Sequence, residues 1–219
     1  MANAEEVEKF YKGIRFETML KDAPESIQEF LRTEISFIKK NISPQKTILE
    51  VGCGYGRLLK ILAKSAKKVV GIDFNQKMIK LSKENLKNKK NIKLYLMRAQ
   101  DIKLNEKFDY VVCLDASFGN MPKMEKQVLK NMKNCCKKEG KIIISTYSEN
   151  AKKAQEDNYN GLGFKIINDD GKAIHTKEGF YSRRFTKQEL KELFSSIGLT
   201  AEITSPCPIE YITMATNHP

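Results

Sequence analysis

The chain of 219 residues is 41% apolar and 9% aromatic, so it can bury one sizeable core and is too apolar to be disordered. It carries 39 basic and 27 acidic residues, but only six of the basic residues are arginine, the residue best suited to bidentate phosphate contacts. The net charge of +12 therefore indicates a diffuse lysine-rich surface, and nucleic acid is kept only as a disfavoured partner.

Signals for a membrane, for secretion and for a metal site are absent from the sequence. No apolar run approaches the roughly 18 residues of a membrane span. The first ten residues, MANAEEVEKF, lack the apolar region of a secretory signal. The five scattered cysteines and two histidines show none of the spacings of a zinc or redox site. We therefore expect a cytoplasmic protein with no bound metal and no membrane partner.

Apolar strands and amphipathic helices alternate through the first two thirds of the chain. A helical pattern opens after Pro24, and Ser43-Pro44 breaks it before the first strand. Strands are predicted at 47–51, 69–73, 92–96, 108–114 and 141–145, and helices at 56–64, 77–88 and 123–138. This alternation predicts a Rossmann-like, doubly wound α/β fold, whose mostly parallel sheet is covered by helices on both faces.

The pattern changes after Ser148. Residues 149–163 are polar, and two strand-like segments then flank the turn Asp169-Asp170-Gly171-Lys172, at 164–167 and 173–176. This arrangement is a hairpin signal. The sequence therefore predicts an insertion from about 149 to 185 that leaves the sheet at the edge where ligands bind in doubly wound folds.

The C-terminal segment returns to regular structure. A clean amphipathic helix is predicted at 186–197, where Thr186 and Glu189 have the spacing of a capping box. Two strand-like segments follow, at about 200–204 and 209–215. They are predicted to form an antiparallel edge of the sheet.

A glycine-rich turn follows the first predicted strand. Gly52, Gly54 and Gly56 stand at a strand-to-helix junction, where glycines let a ligand approach the backbone and the helix N-terminus offers free N–H groups. Glu50 precedes the turn, and Asp73 ends the next strand, where an acid can bind ribose hydroxyls. The spacing G-x-G-x-G has an arginine where a dinucleotide-binding fingerprint requires its third glycine, which argues against NAD.

These residues resemble the first motif of the class I S-adenosylmethionine-dependent methyltransferases. The resemblance spans about residues 45 to 147 and implies S-adenosylmethionine as the cofactor. It implies that Glu50 orients the amino-acid end of the cofactor and that Asp73 binds its ribose. Phe74 and Met78 match the family's adenine contacts, although both also fit as core residues. The cofactor-binding residues implied in this way are Tyr11, Glu50, Gly52, Gly54, Gly56, Asp73, Phe74, Met78, Gln100, Asp101 and Asp115.

Methyl transfer requires a general base only if the acceptor arrives protonated, so no fixed catalytic motif is expected. The candidate catalytic residues are Asp115, Asn120 and His175. The insertion is expected to cover the acceptor and to be mobile, and an arginine in it could hold a carboxylate or phosphate. The candidate substrate residues are Phe118, Asn120, Tyr147, Tyr181 and Arg183.

The predicted organisation is an N-terminal helical cap at 1–46 and a methyltransferase core at 47–219. Residues 115–118 read Asp-Ala-Ser-Phe and lack the two prolines that enzymes acting on exocyclic base amines carry after the fourth strand. The sequence therefore favours transfer to a nitrogen, oxygen or sulfur atom of a small molecule. An RNA or protein methyltransferase that uses the lysine-rich surface is the alternative enzyme, and a non-catalytic cofactor-binding module is the alternative outside enzymes.

Overall fold

A computed structural model describes residues 22–218. Tyr11 and the rest of residues 1–21 of the predicted cap therefore lie outside the described residues. Within them, no helix is both long enough and apolar enough to cross a membrane. The helices are α1 (Glu25–Asn41), α2 (Arg57–Leu62), α3 (Gln76–Asn85), α4 (Glu125–Cys135), α5 (Lys152–Gly161) and α6 (Lys187–Ser195).

One mixed sheet runs through the molecule. Its strands are β1 (Thr47–Val51), β2 (Lys68–Asp73), β3 (Ile92–Leu96), β4 (Phe108–Cys113), β5 (Cys136–Ser148), β6 (Ile166–Asp169), β7 (Ala173–Thr176), β8 (Tyr181–Phe185), β9 (Ala201–Thr204) and β10 (Glu210–Thr216). The first strands pair in parallel in the order β3-β2-β1-β4-β5. β10 pairs antiparallel with β5 and β9, which confirms the predicted antiparallel C-terminal edge.

The side chains of the central strands alternate between two hydrophobic cores. Leu49 of β1 and Val111 of β4 face the core that contains α4 and α6, whereas Ile48 and Val112 face the core beneath α2 and α3. Both faces of the parallel sheet are thus buried, which explains why its strands are continuous apolar runs in the sequence. The predicted doubly wound α/β fold is confirmed.

The insertion contains more regular structure than the sequence predicts. Helix α5 lies within the predicted polar segment, where its buried side chains include only Ala154, Gln155 and Tyr159, too few apolar residues to give a helical pattern. Strand β8 was not predicted either, because its buried positions Ser182 and Arg184 are polar. Each of these polar side chains has a hydrogen-bond partner that is distant in sequence, Gln155 of α5, so the strand forms although its composition does not indicate one.

Strand β8 extends the sheet beyond the end of β4. It pairs in parallel with the last two residues of β5, Tyr147 and Ser148, while β10 pairs with the opposite edge of β5. β8 therefore occupies the edge that β4 leaves free, and β7 and β6 continue from it as the inserted hairpin. The insertion is joined to the core by sheet hydrogen bonds as well as by side-chain packing.

Strand β5 begins earlier than predicted. The sequence predicts helix to residue 138 and a turn at Glu139-Gly140, but α4 ends at Cys135 and the extended backbone starts at Cys136. Asn217 near the C-terminus binds this segment, since its side chain donates to the carbonyl of Cys136 and its backbone pairs with Glu139 and Gly140. This long-range pairing outweighs the local helical pattern.

Candidate active site

A cavity of about 470 Å³ opens at the carboxyl ends of the parallel strands. Its lining combines the glycine turn after β1, the end of β2, the turns after β3 and β4, helix α1 and the inserted segment. Ligands bind at this edge in doubly wound folds, because the loops that follow neighbouring strands diverge there and leave a crevice. We call the side lined by Glu50, Gly52, Gly54 and Asp73, together with Gly56 directly behind it, the cavity floor.

The glycine turn of the cavity floor requires glycine for two different reasons. Gly54 has a left-handed backbone, with a φ of 51°, and open space beside it where a ligand can approach. Gly56 is also left-handed, with a φ of 89°, and a Cβ there would come within 2.6 Å of the Ser82 Oγ and 2.7 Å of Leu86. Gly56 therefore permits close packing of the turn against α3, whereas Gly54 leaves the backbone accessible from the cavity.

The Asp73 carboxylate holds the glycine turn in place. Its two oxygens each accept one backbone hydrogen bond, from the N–H of Gly54 and from the N–H of Asn75, both at 2.9 Å. Burial raises the pKa of Asp73, and these two hydrogen bonds oppose the shift. A carboxylate oxygen can accept more than one hydrogen bond. Asp73 can therefore organise the turn and still accept hydrogen bonds from a ligand.

Glu50 is buried beneath the cavity with an unsatisfied oxygen. Its side chain is 3% exposed, and its Oε2 has no hydrogen-bond partner among the described residues. Desolvation raises the pKa of Glu50 well above its ordinary value, although the nearby Arg57 guanidinium opposes this. A buried carboxylate oxygen without a partner is costly unless a ligand supplies a donor. Glu50 can therefore bind a cationic or donor-bearing ligand group.

Three charged side chains join helix α1 to the cavity. Arg57 forms ion pairs with Asp115 at 3.0 Å and with Glu34 of α1 at 3.4 Å. Burial alone disfavours the charged guanidinium, but the Asp115 and Glu34 carboxylates outweigh this effect and raise the pKa of Arg57. Sequence reasoning missed Glu34 and Arg57. The signal for Glu34 is its position on the apolar face of α1, four residues after Phe30 and four before Ile38, where an acid needs a buried partner.

Glu34 also anchors the turn after β4. Asp115 and Ala116 both have left-handed backbones, with φ values of 57° and 51°, although neither is glycine. The Glu34 carboxylate accepts from the backbone N–H of Asp115 and from the Ser145 hydroxyl, both at 2.5 Å, and the N–H of Ala116 donates to that hydroxyl. Such a conformation persists only when its surroundings hold it in place. Here it presents the Asp115 side chain, which is 43% exposed, to the cavity.

The other side of the cavity is aromatic. We call Tyr147, Tyr159, Phe164 and Phe180 the aromatic wall, since all four line the cavity and all except Tyr147 come from the insertion. The rings of Tyr159 and Phe180 meet edge to face with centroids 5.2 Å apart, and Phe164 is 6.2 Å from Tyr159 and 6.3 Å from Phe180. Burial raises the pKa of both tyrosines, that of Tyr159 to about 12, so their hydroxyls stay protonated at neutral pH.

The structure brings most of the sequence-predicted site residues to this one cavity. Asp115, Asn120 and Tyr147 line it together with the floor, and Asn120 has a buried Oδ1 with no hydrogen-bond partner among the described residues. The predicted residues that line the cavity are Glu50, Gly52, Gly54, Asp73, Phe74, Met78, Gln100, Asp115, Asn120 and Tyr147. Gly56 lies directly behind the lining, where it allows the turn to pack.

Other predicted residues are not among those that line the cavity, and their expected roles stay predictions. Phe118 is fully buried in the core, with its ring centroid 6.0 Å from that of Phe185. The rings of His175 and Tyr181 pack against each other on the hairpin, 5.0 Å apart. Asp101 is exposed in the turn after β3 and does not line the cavity, although the neighbouring Gln100 does.

Arg183 is held by acids instead of facing the cavity. Its guanidinium pairs with Glu125 at 2.7 Å and with Glu189 at 3.1 Å, and it stacks 4.5 Å from the centre of the Phe185 ring. The next residue, Arg184, is buried and binds Asp169 and Gln155. Each arginine therefore has carboxylate or amide partners within the fold, and these ion pairs argue against the predicted contact of Arg183 with the substrate.

The fold and the cavity define a Rossmann-like α/β protein with a glycine-turn ligand site, and similarity to known proteins assigns its family. Residues 42–198 match the family described as a methyltransferase domain. The chain belongs to this family, as the motif resemblance predicts.

Two curated relatives share about half of their length with this chain. Ribosomal protein L11 methyltransferase of Aquifex aeolicus is 34% identical over 135 residues, which are 61% of this chain and 52% of the relative. Ubiquinone biosynthesis O-methyltransferase of Coxiella burnetii is 29% identical over 124 residues, 54% of this chain and 51% of the relative. The chain thus spans about half the length of the curated relatives it matches.

Solved structures of low sequence identity share the whole fold. The DhpI–SAH complex superposes with a TM-score of 0.73 at 14% identity, covering 98% of this chain and 97% of DhpI. The 1,6-didemethyltoxoflavin-N1-methyltransferase of Burkholderia thailandensis, solved with 1,6-didemethyltoxoflavin and S-adenosylhomocysteine bound, has a TM-score of 0.69 at 13% identity over 99% of this chain and 89% of the enzyme. These similarities confirm the predicted fold.

Proposed function

We propose that this chain transfers a methyl group from S-adenosylmethionine to a nitrogen, oxygen or sulfur atom of a small-molecule acceptor. The observation that carries the proposal is the cavity floor, which combines an accessible glycine turn, the Asp73 carboxylate and the unsatisfied Glu50 oxygen. Membership of the methyltransferase domain family supports it, as do the two solved structures named above, which contain the demethylated cofactor.

The residues of the cavity floor fit each part of this cofactor. The amino group of the cofactor would supply the donor that Glu50 Oε2 lacks and the positive charge that favours its ionised form. The ribose hydroxyls would donate to Asp73, whose oxygens each have one backbone partner. Phe74 is 41% exposed at the cavity and, with Met78, offers an apolar surface for the adenine.

The protein's own tasks in the reaction are alignment of the acceptor, exclusion of water and disposal of a proton. The cofactor supplies a methyl group on a cationic sulfur, which is a good leaving group without further activation. Asp115 can hold the acceptor's proton, because its carboxylate faces the cavity and its position is fixed by Arg57 at 3.0 Å. The aromatic wall excludes water and restricts the approach of the acceptor.

A protein acceptor is the alternative, because one relative is a ribosomal protein L11 methyltransferase. The aromatic wall favours a small molecule instead. Tyr159 and Phe164 of the wall are buried, so the acceptor side is walled by side chains of the chain itself. A macromolecular acceptor needs an open approach for a side chain or a base.

The insertion is proposed to cover the acceptor during the reaction, as expected from the sequence. Hydrogen exchange can test this by comparing the exchange rates of the backbone amides of residues 149–185 in the free protein and in the presence of S-adenosylhomocysteine. We expect faster exchange in this segment than in β1 and β4 when the protein is free, and slower exchange when the ligand is bound. Equally slow exchange in both states would identify the insertion as a fixed part of the wall.

Titration calorimetry with S-adenosylhomocysteine and with NAD tests the cofactor assignment. The native protein should bind the first and not the second. Asp73→Ala should weaken binding at least about tenfold, because each hydrogen bond to a charged acceptor contributes roughly 1.5–3 kcal/mol. Asp157→Ala is the matched control, since Asp157 pairs with Lys153 at the surface and does not line the cavity. Unchanged affinity in Asp73→Ala would contradict the ribose assignment.

A further inference from the structure

We propose that the acceptor is an uncharged aromatic compound whose reacting atom carries a hydrogen, such as a phenol or an aromatic amine. This inference rests on the proposed methyl transfer and specifies its substrate class. The sequence allows an acceptor with a carboxylate or phosphate, held by an arginine of the insertion. In the structure, Arg183 and Arg184 instead form ion pairs with Glu125 and Asp169.

The shape of the aromatic wall favours a flat, apolar ligand. Tyr159, Phe164 and Phe180 form a cluster in which every pair of ring centroids lies between 5.2 and 6.3 Å. Tyr147 lines the same cavity, and its ring is 5.2 Å from that of Phe30 in α1, which fixes its orientation. Rings held in place in this way can stack against an aromatic ligand without losing much conformational freedom on binding.

Two polar side chains of the turn after β4 can accept hydrogen bonds from an acceptor in the cavity. Asn120 lines the cavity, and its buried Oδ1 has no hydrogen-bond partner among the described residues. Asp115, in the same turn after β4, also lines the cavity with an exposed carboxylate. A buried amide oxygen without a donor costs about 1–3 kcal/mol. A hydroxyl or amino hydrogen on the acceptor would satisfy it, whereas an ether or a carboxylate brings no hydrogen to donate.

Within residues 22–218, no unpaired basic side chain lines the cavity beside the insertion. Among the described lining residues the basic ones are Arg57 and Arg98. Arg57 is already paired with two carboxylates, those of Asp115 and Glu34. Arg98 follows β3, at the far edge of the parallel sheet from β5 and the insertion. An anionic acceptor would therefore enter an apolar site beside the Asp115 carboxylate, and residues 22–218 place no unpaired cation there to offset its desolvation.

Binding of matched bicyclic probes tests the proposal. The probes are 2-naphthol, 2-naphthylamine, 2-methoxynaphthalene and 2-naphthoate, each titrated into the full chain saturated with S-adenosylhomocysteine at neutral pH. We expect 2-naphthol and 2-naphthylamine to bind at least tenfold more tightly than 2-naphthoate. We also expect 2-methoxynaphthalene, which has no hydrogen to donate, to bind several-fold more weakly than 2-naphthol.

Two substitutions connect these preferences to residues. Phe180→Ala should weaken 2-naphthol binding at least tenfold and leave S-adenosylhomocysteine affinity unchanged, and Phe180→Leu covers the case in which the alanine variant does not fold. Ile167→Ala is the matched control, because Ile167 belongs to the same insertion and is 62% exposed. Asn120→Ala should abolish the preference for 2-naphthol over 2-methoxynaphthalene.

The outcomes separate this inference from the proposed function. If S-adenosylhomocysteine fails to bind, the proposed function is contradicted, and titration of the probes into the protein alone still tests the aromatic wall. If S-adenosylhomocysteine binds but 2-naphthoate equals or exceeds 2-naphthol in affinity, the methyltransferase stands and the uncharged acceptor is wrong. A Phe180→Leu variant with native 2-naphthol affinity would overturn the role of the wall.

Discussion

The cavity floor and the aromatic wall face the same space but are built in different ways. The floor is held by short backbone contacts, such as the hydrogen bonds of Gly54 and Asn75 to Asp73 and those of Gly52 and Cys53 to the Ile72 carbonyl. The wall consists of side chains packed across the fold. A floor built from backbone contacts can bind the same cofactor while its side chains vary. A wall built from packed side chains can change with the acceptor.

Glu34 joins α1, whose Phe30 packs against Tyr147 of the wall, to Arg57 beside the glycine turn, so its removal should have the largest effect. Glu34→Ala removes a fully buried side chain and leaves Arg57 with one carboxylate partner and the N–H of Asp115 without an acceptor. We expect the free energy of unfolding to fall by about 3 kcal/mol or more. Urea denaturation measures this effect. Glu25→Ala on the exposed start of α1 is the control.

Glu34→Gln distinguishes the charge of Glu34 from its hydrogen bonds. The amide can still accept from the N–H of Asp115 and from Ser145, so the loss of stability should be smaller than in Glu34→Ala. If Glu34→Ala were as stable as the native protein, the ion pair and hydrogen bonds that Glu34 forms with Arg57, Asp115 and Ser145 would contribute nothing measurable to the free energy of unfolding.

Gly56→Ala should have the next largest effect, and it is confined to the floor. A methyl group at this left-handed position would lie 2.7 Å from Leu86 and 2.6 Å from the Ser82 Oγ, so the turn must shift. We expect a loss of about 1–3 kcal/mol in stability, with weaker S-adenosylhomocysteine binding. Gly171→Ala is the matched control, because Gly171 is also left-handed but has no atoms within 4 Å of a Cβ. Equal losses in the two variants would show that only backbone strain is involved.

The buried carboxyl of Glu210, behind the aromatic wall, should make stability depend on pH. Glu210 pairs with Tyr147 in the sheet, and burial raises its pKa from 4.5 to about 8, although the Thr33 hydroxyl donates to it at 2.6 Å. Between these two values the folded chain binds more protons than the unfolded chain, so the free energy of unfolding contributed by this group falls as pH rises. The contribution is at most about 1.4 kcal/mol per pH unit.

Glu210→Gln isolates this contribution from those of other titrating groups. The difference in unfolding free energy between the native protein and the variant should change steadily from pH 5 to pH 8, with the native protein losing more stability as pH rises. Denaturation at several pH values measures it. A constant difference would mean that Glu210 titrates near its ordinary pKa.

Arg183→Met should have the smallest effect on the cavity. Arg183 joins Glu125 and Glu189 outside the lining, so its replacement should lower stability by about 1 kcal/mol and leave the affinities for S-adenosylhomocysteine and 2-naphthol unchanged. Calorimetry with both ligands is the measurement. A selective loss of 2-naphthol affinity would restore Arg183 as a substrate contact and weaken the account of the wall.

The sequence predicts the floor much better than the wall, for a physical reason. Gly52, Gly54 and Asp73 act through backbone geometry and hydrogen bonds that follow one strand end after another, so their spacing carries the information. Tyr159 reaches the cavity because α5 folds back onto the sheet, and the sequence of α5 gives too little apolar periodicity to predict that helix.

Ion pairs within the fold are the second feature that the sequence does not reveal. Arg183 and Arg184 stand in a segment expected to contact the substrate, and arginine is suited to anions, but acids from α4, α6 and β6 bind them in the fold. Sequence reasoning cannot identify such partners. Glu125 is distant from Arg183 along the chain, and Asp169 reaches Arg184 only because β6, β7 and β8 pair in the sheet. The position of Glu34 on the apolar face of α1 indicates its burial, but its partners Arg57 and Asp115 could not be identified for the same reason.

Transfer of a labelled methyl group tests the central claim most directly. The protein is incubated with S-adenosylmethionine carrying a radioactive methyl group, together with a metabolite extract, total RNA or a ribosomal protein fraction in separate reactions. We predict label in products of the metabolite extract and its loss in Asp73→Ala, with Asp157→Ala active. Label that enters only RNA or protein, or no transfer despite tight binding of S-adenosylhomocysteine, would contradict methyl transfer to a small molecule.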